Sequence, residues 1–449
     1  MNLSVNRRQF ISGASLAVVA ASTGCVTAKG NASVTAAPAA ADNEDVPPAP
    51  LLASAPVLQN AAETSIGIAF AVSADASGWV EYSTSPEMKD AVRAYSGGHG
   101  LMNVNDKIAL IRVTGLKPAT KYYYRIGADR IIYKGGYSMQ NLGPEVDPAI
   151  HSFTTLGAAA IGTFCVINDT HAHRKPLKLV LDKLGEMKPS VVIWNGDASN
   201  SSERIDDALD IFIHARKVVP AYAADTPYMF LNGNHDYRGC FNRHLEEVMM
   251  FRELAERKAE FADLGRNFVQ RFGDIALIGL DTGEDKLDTN PLFAGIFQMQ
   301  KYRELQAKWL AEAIETEAVK TAKFKLAFCH IPLFDSRPNA NPGDLAPADK
   351  APGYEPDFAL WQRTCAKLWG PSFVKAGVQL VVAAHEHAFR YDAPTADRPW
   401  AQLVGGGPEM GGEEMFPTVI EGRIDGGKLV LTVHDVFHRR IAGRYEFKA

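Results

Sequence analysis

Polar residues gather at five points where apolar stretches of this 449-residue chain end. The clusters are Asp169-Thr170-His171, Gly196-Asp197, Gly233-Asn234-His235-Asp236, His330 and His385-Glu386-His387. Carboxylates, an amide oxygen and imidazoles form a mixed oxygen and nitrogen donor set, which suits Zn, Mn or Fe. The inventory exceeds what one ion needs, so two ions sharing a bridging carboxylate are expected. Two ions about 3.5–4 Å apart clamp the attacking and leaving oxygens of an in-line displacement, and they acidify a bound water into a hydroxide nucleophile near neutral pH. Taken singly, each cluster has an ordinary explanation. Gly-Asp and Asn-His-Asp are common turn sequences, and His330 alone would be a hydrogen-bonded core histidine. Their shared placement carries the expectation.

Each cluster closes a strand-like run: "GTFCVIN", "SVVIWN", "YMFLN", "KFKLAFC" and "VQLVVAA". Amphipathic stretches alternate with these runs, namely "LKLVLDKLGEM", "ERIDDALDIFIHARKVV", the segment 243–264, "KYRELQAKWLAEAIETEAV" and "ALWQRTCAKLW". Such alternation predicts an α/β domain with helices outside the sheet, and the remainder, 398–449, reads as strand-rich. In α/β sheets the carboxyl ends of the strands form one edge, with ligands in the crevice beyond it. Residues far apart in sequence would therefore meet at one pocket.

Between about 165 and 390, the ordered set Asp-x-His, Gly-Asp, Gly-Asn-His-Asp, a lone His and His-x-His resembles the calcineurin-like metallophosphoesterases. The resemblance implies an α/β/β/α sandwich, a two-sheet core flanked by helices, that hydrolyses phosphomonoesters or phosphodiesters with two divalent or trivalent ions. Carried over residue by residue, it makes Asp169, His171 and His387 ligands of one ion and Asn234, His330 and His385 ligands of the other, with Asp197 bridging. His235 would act as general acid or orient a phosphoryl oxygen, and Asp236 would hold its ring. Asn234 and Arg238 would contact substrate, and Arg174 is a weaker candidate for the same work.

Residues 51–156 read as short strands and turns without a helix. Within them, "TGLKPATKYYYRI" resembles the end of a fibronectin type III domain, with one of Tyr122 to Tyr124 in the tyrosine-corner position. A fibronectin-like β-sandwich ahead of the 158–449 domain gives a layout similar to purple acid phosphatases. Three positions depart from that pattern: His171 replaces a Gly, Asn200 stands where an iron-binding Tyr belongs, and Ala384 replaces a Gly. A purple ferric centre, with its phenolate ligand, is therefore not expected.

Residues 1–28, with Arg7-Arg8 and Phe10 before a short apolar run, resemble a twin-arginine signal peptide, and 29–50 is an Ala/Pro-rich linker. Export through the twin-arginine machinery to the periplasm or cell envelope is the expectation. "STGC" partly resembles a lipoprotein acceptor, so a lipid anchor at Cys25 stands as an alternative to simple cleavage. The formal net charge of −5 and pI near 6.2 give no broad grip on nucleic acid, and the resemblance implies a small phosphorylated substrate as the partner.

Two loops and two rival functions complete the reading. "LDTGEDKLDTN" is read as a structured acidic loop, and "VGGGPEMGG" as a flexible loop near the site, since it lacks the Lys-Ser/Thr of a P-loop. His-x-His also opens amidohydrolase barrels, but these need eight βα units and would leave Gly-Asn-His-Asp unexplained. An exported binding module with a vestigial metal site is the remaining alternative.

Overall fold

The computed structural model describes residues 49–213, 221–251, 258–334 and 357–449. Arg7, Arg8, the linker up to residue 48 and Cys25 lie outside them. Among the described residues, no helix is long and apolar enough to cross a membrane. The cysteines Cys165, Cys240, Cys329 and Cys365 are unpaired thiols.

Two sheets form the centre. In the first, the strands Thr163–Ile167, Val191–Asn195 and Tyr228–Leu231 run parallel, and Thr418–Asp425 and two further C-terminal strands extend it antiparallel. In the second, Ile275–Leu280, Phe324–Cys329, Leu380–Ala383 and Ala401–Val404 run parallel in that order. Side chains alternate across each strand. Phe164 and Val166 therefore enter the core between the sheets, where they join Leu326, Phe328, Leu380 and Val382. Cys165 and Ile167 point the other way, onto Leu177, Val180, Leu181 and Leu184 of the helix Arg174–Met187. On the far side, Ala327 and Val381 pack against Trp309 and Leu310 of Met299–Ala313 and Trp369 of Asp357–Ala376. The result is the expected four-layer α/β/β/α sandwich.

Two predicted helices are not continuous. The stretch that begins in Met299–Ala313 breaks before Glu317–Lys320. The segment 243–264 forms 3-10 turns at Phe241–Glu247 and Ala259–Leu264, and 252–257 lies outside the described residues. His244 leaves helical geometry at φ −116°, which interrupts the first of them.

The N-terminal β region shares its hydrogen bonding with the rest of the chain. Val57–Gln59 pairs parallel with Tyr228–Leu231 through Gln59 and Tyr228, and Ile66–Ala71 and Ile108–Val113 continue the first sheet to nine strands. A five-stranded sheet containing Ala76–Ser83 and Lys121–Tyr133 packs on that extension, with Val80, Tyr124 and Ile126 meeting Ile66, Ile68 and Phe70. Tyr122 supplies the hydroxyl tie expected of a tyrosine corner: its oxygen accepts the Lys117 N–H at 3.0 Å. The division placed between 156 and 158 thus separates segments of sequence, while one sheet runs through both.

Candidate metal centre

All five clusters begin at the carboxyl ends of parallel strands, two residues or fewer beyond Ile167, Asn195, Leu231, Cys329 and Ala383 for four of them and three beyond Leu231 for Asn234. Three of those strands belong to the first sheet and two to the second. Because both sheets present these ends at one edge, the clusters meet there. Asp169, His171 and His387 bring ligand atoms within 4.8 Å of one another, and so do Asp197, His330 and His385.

Chain direction must reverse sharply to aim these side chains back over the strand ends. Asp169, His171, Asp197, His385 and His387 all have positive φ, between 45° and 70°. For a non-glycine residue the left-handed region costs about 1–2 kcal/mol, and clustering of such strain marks a functional site. Two glycines make the approach possible. A Cβ on Gly233 would lie 2.2 Å from Asp197 Oδ1, and one on Gly196, at φ +86°, would lie 2.4 Å from His330 Nδ1.

Asp197 sits between the two groups. Its Oδ2 is 3.6 Å from His171 Nε2 and 3.2 Å from His330 Nε2, while Oδ1 accepts the His235 N–H at 2.8 Å. Asp169 Oδ1 lies 3.6 Å from His387 Nε2 and 3.7 Å from His330 Nε2. In the second group Asn234 Oδ1 is 3.0 Å from His385 Nδ1.

The outer nitrogens of the rings are engaged with acceptors. His171 Nδ1 pairs with Asn200 Oδ1 at 2.8 Å, His330 Nδ1 with the Asn195 carbonyl at 2.9 Å and His387 Nδ1 with Glu409 Oε1 at 2.9 Å. Such contacts place the ring proton on the outer nitrogen and direct the inner lone pair at a common point. Asn200, which occupies the position of the absent Tyr, therefore holds a ligand candidate instead of being one.

These residues fit a cation. Asp169 Oδ1 and His330 Nε2 are buried and, among the described residues, have no hydrogen-bond partner in good geometry, although Asp197 Oδ2 lies 3.2 Å from that nitrogen and the two atoms face each other across the site at 3.7 Å. Buried polar atoms are rarely left unsatisfied, and a ligated ion would satisfy both. Electrostatics agree. Burial opposes charge on His330, but Asp197 and Asp169 outweigh it and lift its pKa to about 10. His387 is raised to about 8 because Glu409 and Asp169 overcome its burial. The site thus carries enough negative charge to hold buried cationic rings.

Other expected residues behave differently. His235 lies beside the site, its Nδ1 3.1 Å from the Asn200 carbonyl and its Nε2 3.2 Å from Arg238 Nη1. Asp236 does not hold that ring. Its buried carboxylate accepts the N–H groups of Gly233 at 2.9 Å and Ser199 at 3.1 Å, and so ties two site loops together. Immediately following His235, it points inward while the imidazole points out. Arg238 is within reach of the site, but Glu284 accepts from its Nε at 2.9 Å and its Nη2 at 2.6 Å, and Asp285 from Nη2 at 3.0 Å. Arg174 and His173 are exposed.

Sequence reasoning missed Glu409, Asp285 and Asn200's contact. Glu409 belongs to the glycine-rich loop read as flexible, yet Gly405, Gly406 and Gly407 are buried, and the first two are hydrogen-bonded. Asp285, from the acidic loop, brings Oδ2 to 3.8 Å from His385 Nε2. Only the nearness of both loops to motif-bearing strands could have suggested these contacts.

A nested α/β/β/α core that gathers carboxylates and imidazoles at one strand edge defines a metal-dependent hydrolase. The sequence profile of the calcineurin-like phosphoesterases matches residues 162–389, just over half of the chain, and the chain belongs to that family. It is accordingly a phosphoester hydrolase. Among solved structures, purple acid phosphatase PPD1 from yellow lupin (Lupinus luteus) seeds is similar at TM-score 0.57 and 13% identity, over 88% of this chain and 74% of that one. PhoD is similar at TM-score 0.55 and 11% identity, over 88% and 89% respectively. At such identities the likeness speaks for the fold. No curated protein matches in sequence.

Proposed function

We propose that this chain hydrolyses phosphoesters at a pair of metal ions, one held by Asp169, His171 and His387, the other by Asn234, His330 and His385, with Asp197 shared. The observation that carries this reading is the placement of Asp197 Oδ2, 3.6 Å from His171 Nε2 on one side and 3.2 Å from His330 Nε2 on the other. Bound ions would supply Lewis-acid charge to the phosphoryl oxygens and generate a nucleophile from water near neutral pH. The mixed donor set suits Fe, Mn or Zn, and Asn200 in place of a phenolate speaks against a purple ferric centre.

The chain's own residues do the rest. His235, with Nε2 beside Arg238 Nη1, protonates the leaving oxygen or orients a phosphoryl oxygen. Asn234 contributes its amide oxygen to the second ion and borders the substrate. Arg238 adds a guanidinium edge, already partly neutralised by Glu284 and Asp285, so its pull on substrate is modest. In this reading the N-terminal motif Arg7-Arg8 directs export to the periplasm or cell envelope, and lipid attachment at Cys25 is tested by mass spectrometry of the membrane fraction.

Hydrolysis of p-nitrophenyl phosphate and bis-p-nitrophenyl phosphate, with metal content measured on the same sample, tests the reading. Asp197→Ala is expected to abolish turnover of both esters and to lower metal content. A protein that holds no metal, or an Asp197→Ala variant as active as the parent, overturns it.

A further inference from the structure

The glycine-rich segment Gly405–Glu409 supports two ligand candidates, and both belong to the same group. The segment is fixed to both core sheets: Gly405 N–H donates to the Ala383 carbonyl at 2.9 Å and Gly406 N–H to Thr418 Oγ1 at 3.0 Å. Leu380–Ala383 belongs to the second sheet and Thr418–Asp425 to the first, so the segment spans the seam between them. From there the Gly406 carbonyl accepts Asn168 Nδ2 at 3.0 Å, and the same nitrogen donates to Asp169 Oδ2 at 2.8 Å. Three residues on, Glu409 Oε1 accepts from His387 Nδ1 at 2.9 Å. Between these contacts the segment passes close to His387, where a Cβ on Gly407 would lie 2.7 Å from the histidine Cβ.

A carboxylate is an acceptor only, so the proton between Glu409 and His387 sits on Nδ1. The lone pair is thereby placed on Nε2, which faces Asp169 Oδ1 at 3.6 Å. The other group has different supports: the Asn195 carbonyl behind His330, and Asp285, from the loop after Ile275–Leu280, near His385.

We propose that Glu409 is a positioning residue for one cation of the pair. The segment Gly405–Glu409 braces the position formed by Asp169, His171 and His387, Glu409 fixes the tautomer and plane of His387, and the position formed by Asn234, His330 and His385 does not depend on it. This inference rests on the two-ion reading above. Outer-shell partners of metal-bound histidines typically change metal affinity by about 10–100-fold when removed. Because the contact is made by a rim side chain, its loss should act on one ion alone.

The test titrates the full chain, stripped with chelator, with Zn²⁺ alone by isothermal calorimetry, for the parent, Glu409→Ala and Glu409→Gln. Two binding events are expected in the parent. In Glu409→Ala one event weakens about 10–100-fold while the other keeps its affinity. In Glu409→Gln, whose amide oxygen still accepts from Nδ1, most of the lost affinity returns. Metal-free circular dichroism spectra of both variants should match the parent's. Equal weakening of both events, no weakening, failure of Gln to restore affinity, or a metal-free circular dichroism spectrum of Glu409→Ala unlike the parent's each overturns the proposal. A parent that binds no Zn²⁺ overturns the two-ion reading as well, and so separates the two failures.

Discussion

His171 Nε2 and His387 Nε2 face each other at 3.0 Å. Each ring already directs Nδ1 at an acceptor, Asn200 Oδ1 for His171 and Glu409 Oε1 for His387. Once His387 gives up the second ring proton that it carries at pH 7, two lone pairs point into one small space. That arrangement is unfavourable until a cation occupies it, so binding energy should return as folding stability. At free metal about a thousand times Kd, the gain is about 4 kcal/mol. Urea unfolding with and without added Zn²⁺ or Mn²⁺ measures it, and chelator should reverse it. His171→Ala should shrink the gain, and a parent whose unfolding ignores metal would count against this geometry.

His235 borders the ligands, its ring centroid 4.8 Å from that of His171, and is fixed by the Asn200 carbonyl at 3.1 Å and flanked by Arg238 at 3.2 Å. A positioned general acid contributes about 10²–10⁴ to rate. His235→Ala is therefore expected to lower kcat by that factor and leave bound metal unchanged. Loss of metal in this variant would move His235 into the ligand set, since its ring also lies close to His171 and Asp197.

The layers, and the meeting of the five polar clusters at one edge, were readable because two signals coincide. Alternating apolar runs such as "GTFCVIN" specified strands buried on both faces, and the polar residues after them marked the carboxyl edge. Register and loop paths have no such signal. Nothing in "VGGGPEMGG" shows that its glycines are needed to bring Glu409 against His387, because that need is created by a neighbour in space. Asp236 likewise shares a motif with His235, yet its direction depends on Gly233 and Ser199 from separate loops. The shared nine-stranded sheet was hidden for the same reason. Val57–Gln59 resembles any short sandwich strand until it pairs with Tyr228.

Proton release should accompany metal uptake. In metal-free protein the carboxylates hold His330 at about 10 and His387 at about 8, against burial, so both are charged at pH 7. A coordinating imidazole must give up that proton. Apparent affinity should accordingly fall as pH drops below about 10, by about tenfold per unit while His330 alone is protonated and by about a hundredfold per unit below about 8, where His387 is protonated too. For metal-free stability the sign is opposite. A pKa raised above the unfolded value of about 6.5 stabilises fully below that value, and the benefit is lost as pH rises toward the folded values. Calorimetry at pH 7 in buffers of different ionisation enthalpy should report more than one proton released. An enthalpy independent of buffer would refute this.

Gly233 tests the steric side of the site. Its missing Cβ leaves room for Asp197, whose Oδ1 would otherwise be 2.2 Å away. Gly233→Ala must displace either the Asn234 loop or the shared carboxylate, and overpacking of this kind costs about 1–3 kcal/mol. Activity and metal content should fall together while circular dichroism keeps the parent's shape. A variant with both at parental level would show that Asp197 has more freedom than this packing allows.

Asp236 separates a structural role from a chemical one. Buried at 1% exposure, its carboxylate accepts from Gly233 N at 2.9 Å, Ser199 N at 3.1 Å and Ser199 Oγ at 3.2 Å. Removing it leaves buried donors without an acceptor, and each such group costs about 1–3 kcal/mol. Asp236→Ala should lose about 3 kcal/mol or more of stability on that scale. Asp236→Asn keeps one acceptor oxygen and should lose less. Activity should follow the fraction folded, since the loops that carry Asn234 and Asp197 lose their tie. Were Asp236→Asn as stable as the parent but slower by the factor expected for His235→Ala, the carboxylate would be acting through the His235 ring, contrary to the contacts it makes here.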